Sequence, residues 1–270
     1  MDIGLLLVQT VLVFAVAFIY SNLGLGGGLL FVPILLSTGV ATSDVAVPIS
    51  LTFTIATATS SVINHHRHGL VAYRLGALLV AGALVGALVG TFFTLFVLDE
   101  DGFKAFFTSV LVVFGAYMLR DWVRNARSVD ADDDARMTRP RIAATAGATA
   151  GSGFLSGSMG IGGGLLNVPL LVYILGRRTR LAIGTSSLLI IPTAAVGFAA
   201  YLLEPVARGA TVAFSPAFLL IPILAPVVFV GAYVGSRWGL RRLKTRSVAL
   251  IFIAVLFVAA AKLVLDFLLA

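Results

Sequence analysis

The chain has 270 residues, of which 59% are hydrophobic and 11% are charged, and its mean hydropathy is +1.06. A water-soluble domain carries about 25% charged residues, so this composition excludes that class and predicts an all-α integral membrane protein. The net charge of +7 does not indicate a nucleic-acid partner, because the basic residues lie in short loops between apolar segments, where they set membrane orientation.

The apolar segments follow the same order twice. The first half has a pair separated by the glycine-rich sequence SNLGLGGG and then three longer segments, at 3–20, 23–37, 44–63, 71–98 and 103–123. The second half has a matching set, at 140–157, 159–175, 181–203, 212–238 and 247–268. The segment of about 15 residues after each glycine cluster is shorter than the ~20 residues that cross the hydrocarbon core. Each pair is therefore predicted to form a re-entrant or broken-helix hairpin, followed by three transmembrane helices.

An internal repeat relates the two halves. Residues 18–36, FIYSNLGLGGGLLFVPILL, align without a gap to residues 154–172, FLSGSMGIGGGLLNVPLLV, at a constant offset of 136. A second glycine pattern recurs downstream at an offset of 149, where three glycines match three others: Gly82, Gly86 and Gly90 with Gly231, Gly235 and Gly239. Because each half contributes three long crossings, an odd number, the second half enters from the opposite face. The fold is predicted to be two inverted repeats.

The distribution of lysine and arginine predicts the orientation in the membrane. With the polar linker at 124–139 in the cytoplasm, 16 of the 19 Lys and Arg residues are cytoplasmic and only three are outside, namely Lys104, Arg208 and Lys262. This bias predicts a multi-pass protein of the cell membrane with both termini extracytoplasmic. The predicted domains are a first membrane repeat at 1–123, the cytoplasmic linker at 124–139 and a second membrane repeat at 140–270.

Each glycine cluster favours a break in the helix, because glycine lowers helix propensity by about 1 kcal/mol per residue relative to alanine. A break inside a membrane is tolerated only where it is buried in protein or faces a watery cavity. The helices that start after the breaks would point their positive ends and free N–H groups at them. Two such ends that meet near the midplane are predicted to form an anion site for alternating access. The alternative is that the glycines only permit close helix packing.

The second copy of the repeat, GFLSGSMGIGGGLLNVPLLV, closely resembles the signature of the TauE/SafE sulfite exporter family, and the first copy is a looser version of it. The resemblance covers essentially the whole chain through the two repeats. It implies a multi-pass membrane transporter of sulfur-containing anions such as sulfite, sulfonates or sulfoacetate. It also implies that the glycine motifs line the central region, and the stretch LAIGTSS at 181–187 looks like a further family feature.

Neutral polar side chains complete the predicted site, because hydroxyl and amide donors can replace the hydration of an oxyanion. They flank the two breaks or begin the helices that follow. Together with the glycines, the predicted substrate-binding residues are Ser21, Asn22, Gly24, Gly26, Gly27, Gly28, Ser50, Ser158, Gly160, Gly162, Gly163, Gly164, Asn167, Thr185 and Ser186. Any one hydroxyl has an alternative role, because Ser and Thr often donate to carbonyls of their own helix.

The predicted partners are a small anionic substrate and the lipid bilayer, with no cofactor and no metal. His65, His66 and His68 lie at a cytoplasmic helix end, where they are predicted to form a solvated basic cluster instead of a metal site or proton relay. The spans offer no Asp, Glu or His deep enough for catalysis, so an enzyme is not expected.

Several alternatives stay open at the level of the sequence. An anion channel or a structural membrane protein would share the same composition and repeats. Proton coupling usually needs an intramembrane carboxylate or histidine, and Asp44, near the outer end of its helix, is the only weak candidate. The coupling ion, the direction of transport and the formation of a homo-oligomer are not predicted.

Overall fold

The computed structural model describes residues 3–40, 42–124, 132–207 and 215–242, together with the single positions 254, 257, 258 and 261. In the first half the helices are α1 (Ile3–Tyr20), α2 (Gly28–Ser37), α3 (Ser43–Arg67), α4 (Tyr73–Val97) and α5 (Glu100–Arg124). In the second half they are α6 (Arg139–Met159), α7 (Gly164–Pro169), α8 (Thr179–Ala207) and α9 (Leu220–Arg242). The predicted segment at 247–268 lies outside the described residues, apart from those single positions.

Short irregular helices connect these elements. A 3₁₀ turn (Asp134–Arg136) precedes α6, and another (Pro216–Leu219) leads into α9. Helix α7 continues directly as a π-helical turn (Leu170–Ile174). The turn follows Pro169, which has no N–H to donate to the preceding turn, so the hydrogen-bond register changes there.

Six of the described helices are long and apolar enough to cross a membrane: α1, α3, α4, α5, α8 and α9. Helices α2 and α7 are apolar but too short. Every regular element in the described part of the chain is helical. The prediction of an all-α integral membrane protein is confirmed.

Each short helix runs back towards the start of the long helix before it. The Gln9 side chain near the start of α1 donates to the Thr38 carbonyl at 3.2 Å and to the Thr38 hydroxyl at 2.8 Å. In the second half, the Asp133 N–H donates to the Gly176 carbonyl at 2.8 Å, which joins the entrance of α6 to the end of α7. Both hairpins therefore return to the end of the bundle at which they begin, as the segment lengths predict.

The long helices of the two halves pack in matched pairs. Helix α4 lies along α6 and α9 lies along α1, while α3 and α8 pack against each other. A Cβ added at Gly86 would meet the Ala150 carbonyl, and one added at Gly231 would meet the Phe14 carbonyl. Ala150 and Phe14 are equivalent at the offset of 136, so Gly86 is equivalent to Gly231. The sequence alignment, which matched Gly82 with Gly231, is wrong by one helical turn.

Arginine residues gather at one end of the bundle. The Ala72 N–H donates to the Thr185 hydroxyl at 3.0 Å, so the loop after α3 lies beside the start of α8. The linker residues bonded to the end of α7 lie at this end as well. The described arginines at this end include Arg67, Arg74, Arg136, Arg139, Arg141, Arg177, Arg178 and Arg180.

Candidate functional site

The two glycine-rich tips adopt the same backbone conformation. Three glycines in each tip have a positive φ, a conformation that residues with a Cβ rarely adopt. They occupy equivalent positions, and their φ values lie between 68° and 94°: Gly24, Gly26 and Gly27, and Gly160, Gly162 and Gly163. Gly27 and Gly163 are the N-cap residues of α2 and α7. The backbone conformation at each break therefore favours glycine at these three positions.

The fourth glycine of each cluster has a different role. Gly28 and Gly164 have no positive φ, but an added Cβ at Gly28 would meet the Gly160 carbonyl, and one at Gly164 would meet the Gly24 carbonyl. In both cases the added Cβ would lie less than 3.0 Å from the carbonyl oxygen, a distance that real Cβ atoms essentially never show. The two contacts are equivalent under the repeat, so the tips cross with their backbones touching. At Gly28 and Gly164 the glycines permit close packing, which was the alternative considered for the whole cluster.

Two equivalent serines hold the crossing together. The Ser50 hydroxyl on α3 donates to the Gly160 carbonyl at 3.0 Å, and the Ser186 hydroxyl on α8 donates to the Gly24 carbonyl at 2.8 Å. Both serines are fully buried. Because each hydroxyl proton is bonded to the tip of the opposite half, these serines fix the position of the tips in this conformation.

The residues that cover the crossing differ between the halves. Thr54 and Ile190 occupy equivalent positions on α3 and α8, and both side chains approach Gly26 and Gly162. The Thr54 hydroxyl also lies 3.4 Å from the Gly160 carbonyl, an interaction that isoleucine cannot make. The crossing is thus symmetric in its backbone and its serines, but at this position it is polar on the α3 side only.

Three of the predicted site residues bond to backbone away from the contact between the tips. The Thr185 hydroxyl accepts from the Ala72 N–H, which secures the start of α4. The Ser21 hydroxyl and the Asn22 side-chain amide both donate to the Phe18 carbonyl, at 3.0 and 2.8 Å. Thr185, Ser21 and Asn22 therefore support the surrounding helices.

Ser158 and Asn167 lie in the second hairpin and keep unused hydrogen-bonding groups. Both side chains are buried, and neither the Ser158 hydroxyl nor the Asn167 Nδ2 has a partner in the part of the chain that the structure describes. Asn167 Oδ1 accepts from the Ser152 hydroxyl at 2.6 Å. The sequence did not single out Ser152, nor Ser156 one turn further along α6, whose buried hydroxyl also lacks a partner there. Two serines four residues apart, shortly before the glycine cluster, were the feature of the sequence that could have identified them as candidates.

The histidine cluster is not uniformly solvated. His66 and His68 are exposed as predicted, but His65 is only 2% exposed, so the prediction is wrong for this residue. Its Nδ1 lies 2.8 Å from the Ser61 carbonyl, and its Cβ lies close to Gly184 of α8. Adjacent residues on a helix point in different directions, and at position 65 that direction is into the bundle.

The electrostatics of the crossing rest on neutral groups. Within the described ranges, the buried polar side chains are those of Ser, Thr, Asn and Gln, with His65 and the phenols of Tyr20 and Tyr201 as the titratable members, and no Asp, Glu, Lys or Arg residue is buried. Asp44 is exposed in the first turn of α3. The interior of the bundle therefore presents hydroxyl, amide and peptide groups to anything that enters it.

Comparison with known proteins agrees with this architecture. The model of the sulfite exporter TauE/SafE family matches residues 10–263. The chain is similar to a probable membrane transporter protein of Bacillus subtilis, YunE, with 24% identity over 91% of this chain and 92% of the relative. It is also similar to a probable membrane transporter protein of Xylella fastidiosa, with 30% identity over 64% of this chain and 65% of the relative.

No solved structure matches the chain significantly. The family match covers both glycine-rich breaks, α1 from residue 10 onwards and the other five long apolar helices. The chain therefore belongs to the sulfite exporter TauE/SafE family and is a multi-pass membrane transporter.

Proposed function

We propose that the protein is a secondary transporter that carries a small sulfur-containing anion, of the sulfite, sulfonate or sulfoacetate class, by alternating access at the two glycine-rich breaks. The observation that carries the proposal is the crossing of the two tips inside the bundle, with Gly28 against Gly160 and Gly164 against Gly24. Helix breaks at the interface of two repeats are where many secondary transporters bind their substrates.

The chemistry of the interior suits an anion that must be released again. Hydroxyl, amide and backbone N–H groups donate hydrogen bonds to an oxyanion, and the start of α2 adds the positive end of a ten-residue helix. Hydrogen bonds to charged groups contribute about 1.5–3 kcal/mol each. Neutral donors bind without a fixed positive charge, so the substrate is held less tightly than by a buried arginine.

The crossing also suits a moving part. The tips meet through backbone atoms and a few hydroxyl groups, of which Ser50 and Ser186 are the equivalent pair. Each hydroxyl bond contributes only about 0.5–1.5 kcal/mol. Rearrangement of the tips therefore breaks few strong contacts, which supports alternating access.

We also propose that the arginine-rich end faces the cytoplasm and that both termini lie outside the cell membrane. The loop at 67–74, the linker residues 132–136 and the segment 176–180 lie together at this end. Short cytoplasmic loops carry an excess of Lys and Arg, which supports the assignment.

Counterflow in proteoliposomes tests the proposed function. Vesicles that contain the purified protein are loaded with unlabelled sulfite or sulfonate, and the uptake of labelled anion from outside is followed. A carrier accumulates label transiently and saturably, whereas a channel gives flux without counterflow. A structural membrane protein gives no flux, and either of these two results would refute the proposal.

A further inference from the structure

Three polar residues of the second hairpin form a compact group, here named the α6–α7 polar cluster: Ser152, Ser156 and Asn167. We propose that this cluster binds the transported oxyanion, so that the protein has one anion pocket beside the second break and none at the equivalent place beside the first. The inference rests on the transport function proposed above and names the residues that recognise the substrate.

The cluster is buried and only partly satisfied. Ser152, Ser156 and Asn167 are each at most 1% exposed. The Ser152 hydroxyl donates to Asn167 Oδ1 at 2.6 Å and lies 3.0 Å from the Thr149 carbonyl. This bond turns the Oδ1 of Asn167 towards α6 and leaves Nδ2 without a partner among the described residues. The Ser156 hydroxyl, one helical turn from Ser152 on the same face of α6, is also unpartnered there.

The glycine-rich tip closes over the cluster. A Cβ added at Gly163 would lie 2.7 Å from the Ser152 carbonyl and 3.2 Å from its hydroxyl, so the backbone of the tip passes directly over this face of α6. Asn167 is three residues into the helix that begins at Gly164. The unpartnered donors therefore lie next to the break, where the tip meets that of the first half.

The first hairpin shows that the fold does not require polar residues at the positions of Ser152 and Asn167. At the offset of 136, the counterparts of Ser152, Ser156 and Asn167 are Val16, Tyr20 and Phe31. These three side chains are buried as well, and the Phe31 ring packs edge-on against Phe53 with centroids 5.5 Å apart. Val16 and Phe31 thus fill two of the three positions with apolar groups under the same glycine tip, while Tyr20 keeps a phenol hydroxyl at the position of Ser156. The polar side chains of Ser152 and Asn167 therefore have a role other than folding.

The chemistry of the cluster selects the ligand class. An unsatisfied buried donor costs about 1–3 kcal/mol, and more where lipid surrounds the protein, so a guest with acceptor atoms must satisfy it. Two unpartnered donors, one hydroxyl and one amide, match a ligand with several acceptor oxygens and no need for a counter-charge. A small oxyanion has this form, whereas an organic ammonium ion has only donors and would leave both groups unsatisfied.

Two substitutions test the cluster in the purified full-length protein. Ser156→Ala removes an unpartnered hydroxyl, so the variant is expected to melt at or above the wild-type temperature without anion. Its dissociation constant for sulfite or methanesulfonate, measured by thermal shift and by counterflow, is expected to rise about tenfold or more, as for a lost bond to a charged group. Asn167→Leu, of similar size, is expected to weaken anion binding by a similar factor.

Thr57→Ala is the matched control. Thr57 is equally buried, but its hydroxyl donates to the Phe53 carbonyl of its own helix at 3.0 Å. This variant is expected to keep the wild-type dissociation constant. Methylammonium is the ligand control and is expected not to stabilise any of the proteins.

The outcomes separate the pocket from the proposed function. Normal counterflow with unchanged anion affinity in both Ser156→Ala and Asn167→Leu would overturn the pocket and leave the transporter in place. That result would mean that the cluster holds only water. Stabilisation by methylammonium that depends on Ser156 would overturn the ligand class. A wild-type protein that shows neither counterflow nor stabilisation by any of these anions refutes the proposed function, and the pocket with it.

Discussion

Replacement of Gly28 by alanine tests the crossing of the two tips at its tightest point. Gly28 lies in the first turn of α2 and has no positive φ, so alanine suits its backbone and only the available space decides the outcome. The new Cβ would lie more than about 1 Å inside the 3.0 Å limit for Cβ contacts, against the carbonyl oxygen of Gly160. The obstacle is backbone, so no side-chain rotation relieves it.

The expected cost is large because both tips must move. Overpacking in a well-packed core costs about 1–3 kcal/mol, and a backbone obstacle places Gly28→Ala at or above the upper end of that range. A loss of 3 kcal/mol lowers the melting temperature by roughly 6–12 °C in a chain of this size class. Transport is expected to fall about tenfold or more, since the tips lose the geometry that Ser50 and Ser186 hold.

The assay combines melting of the purified variant in detergent with counterflow in proteoliposomes. Gly147→Ala is the matched control: Gly147 lies within α6, and an added Cβ there meets nothing within 4 Å. Alanine is expected to stabilise that helix by up to about 1 kcal/mol and to leave flux unchanged. A Gly28→Ala protein with wild-type melting temperature and flux would refute the direct contact between the tips.

Three further predictions concern the clamp, which is the pair of serines Ser50 and Ser186 that bond to the tips, the linker, and the orientation in the membrane. Ser186→Ala leaves the buried Gly24 carbonyl without its donor and is expected to lower the free energy of unfolding by about 1–3 kcal/mol, measured by thermal or denaturant melting; no change would contradict the clamp. Arg177→Ala removes contacts to linker carboxylates at 2.7 and 3.7 Å and is expected to cost at most about 1 kcal/mol, a loss that shrinks as salt is added. Because the chain has no cysteine, Thr42→Cys and Ala135→Cys can be labelled singly in intact cells. Thr42→Cys is expected to react from outside and Ala135→Cys only after permeabilisation, and the reverse result would overturn the proposed orientation.

Much of the architecture could be predicted because it depends on local properties of the chain. The length of an apolar segment determines whether it can cross the membrane. Five of the six long helices, α3, α4, α5, α8 and α9, occur where crossings were predicted, and the sixth, α1, occurs where the first arm of a hairpin was predicted. Positive φ at equivalent glycines, such as Gly27 and Gly163, is also favoured by residue type, since the absence of a Cβ permits it. Two hairpins with breaks at these glycines were therefore readable from residue type and spacing.

The site was less predictable because hydrogen-bond partners come from distant parts of the chain. Ser50 and Ser186 were predicted as donors to an anion, but in the structure they donate to carbonyls more than a hundred residues away. Thr185 was predicted at the site for its place in LAIGTSS, yet it secures the start of α4. Residue type identifies a group that can donate a hydrogen bond, whereas only packing decides which acceptor it reaches.

The sequence by itself determined the membrane environment, the twofold repetition and the positions of the two breaks, because each follows from hydrophobic length, self-similarity or glycine content. The tertiary structure decided the pairing of Gly86 with Gly231, because glycines spaced four residues apart look the same after a shift of one turn. It also decided that His65 points into the bundle and that Ser152 bonds to Asn167. Those facts depend on which face of each helix packs against its neighbours, and in a chain that is apolar on nearly every face, hydrophobic periodicity does not reveal it.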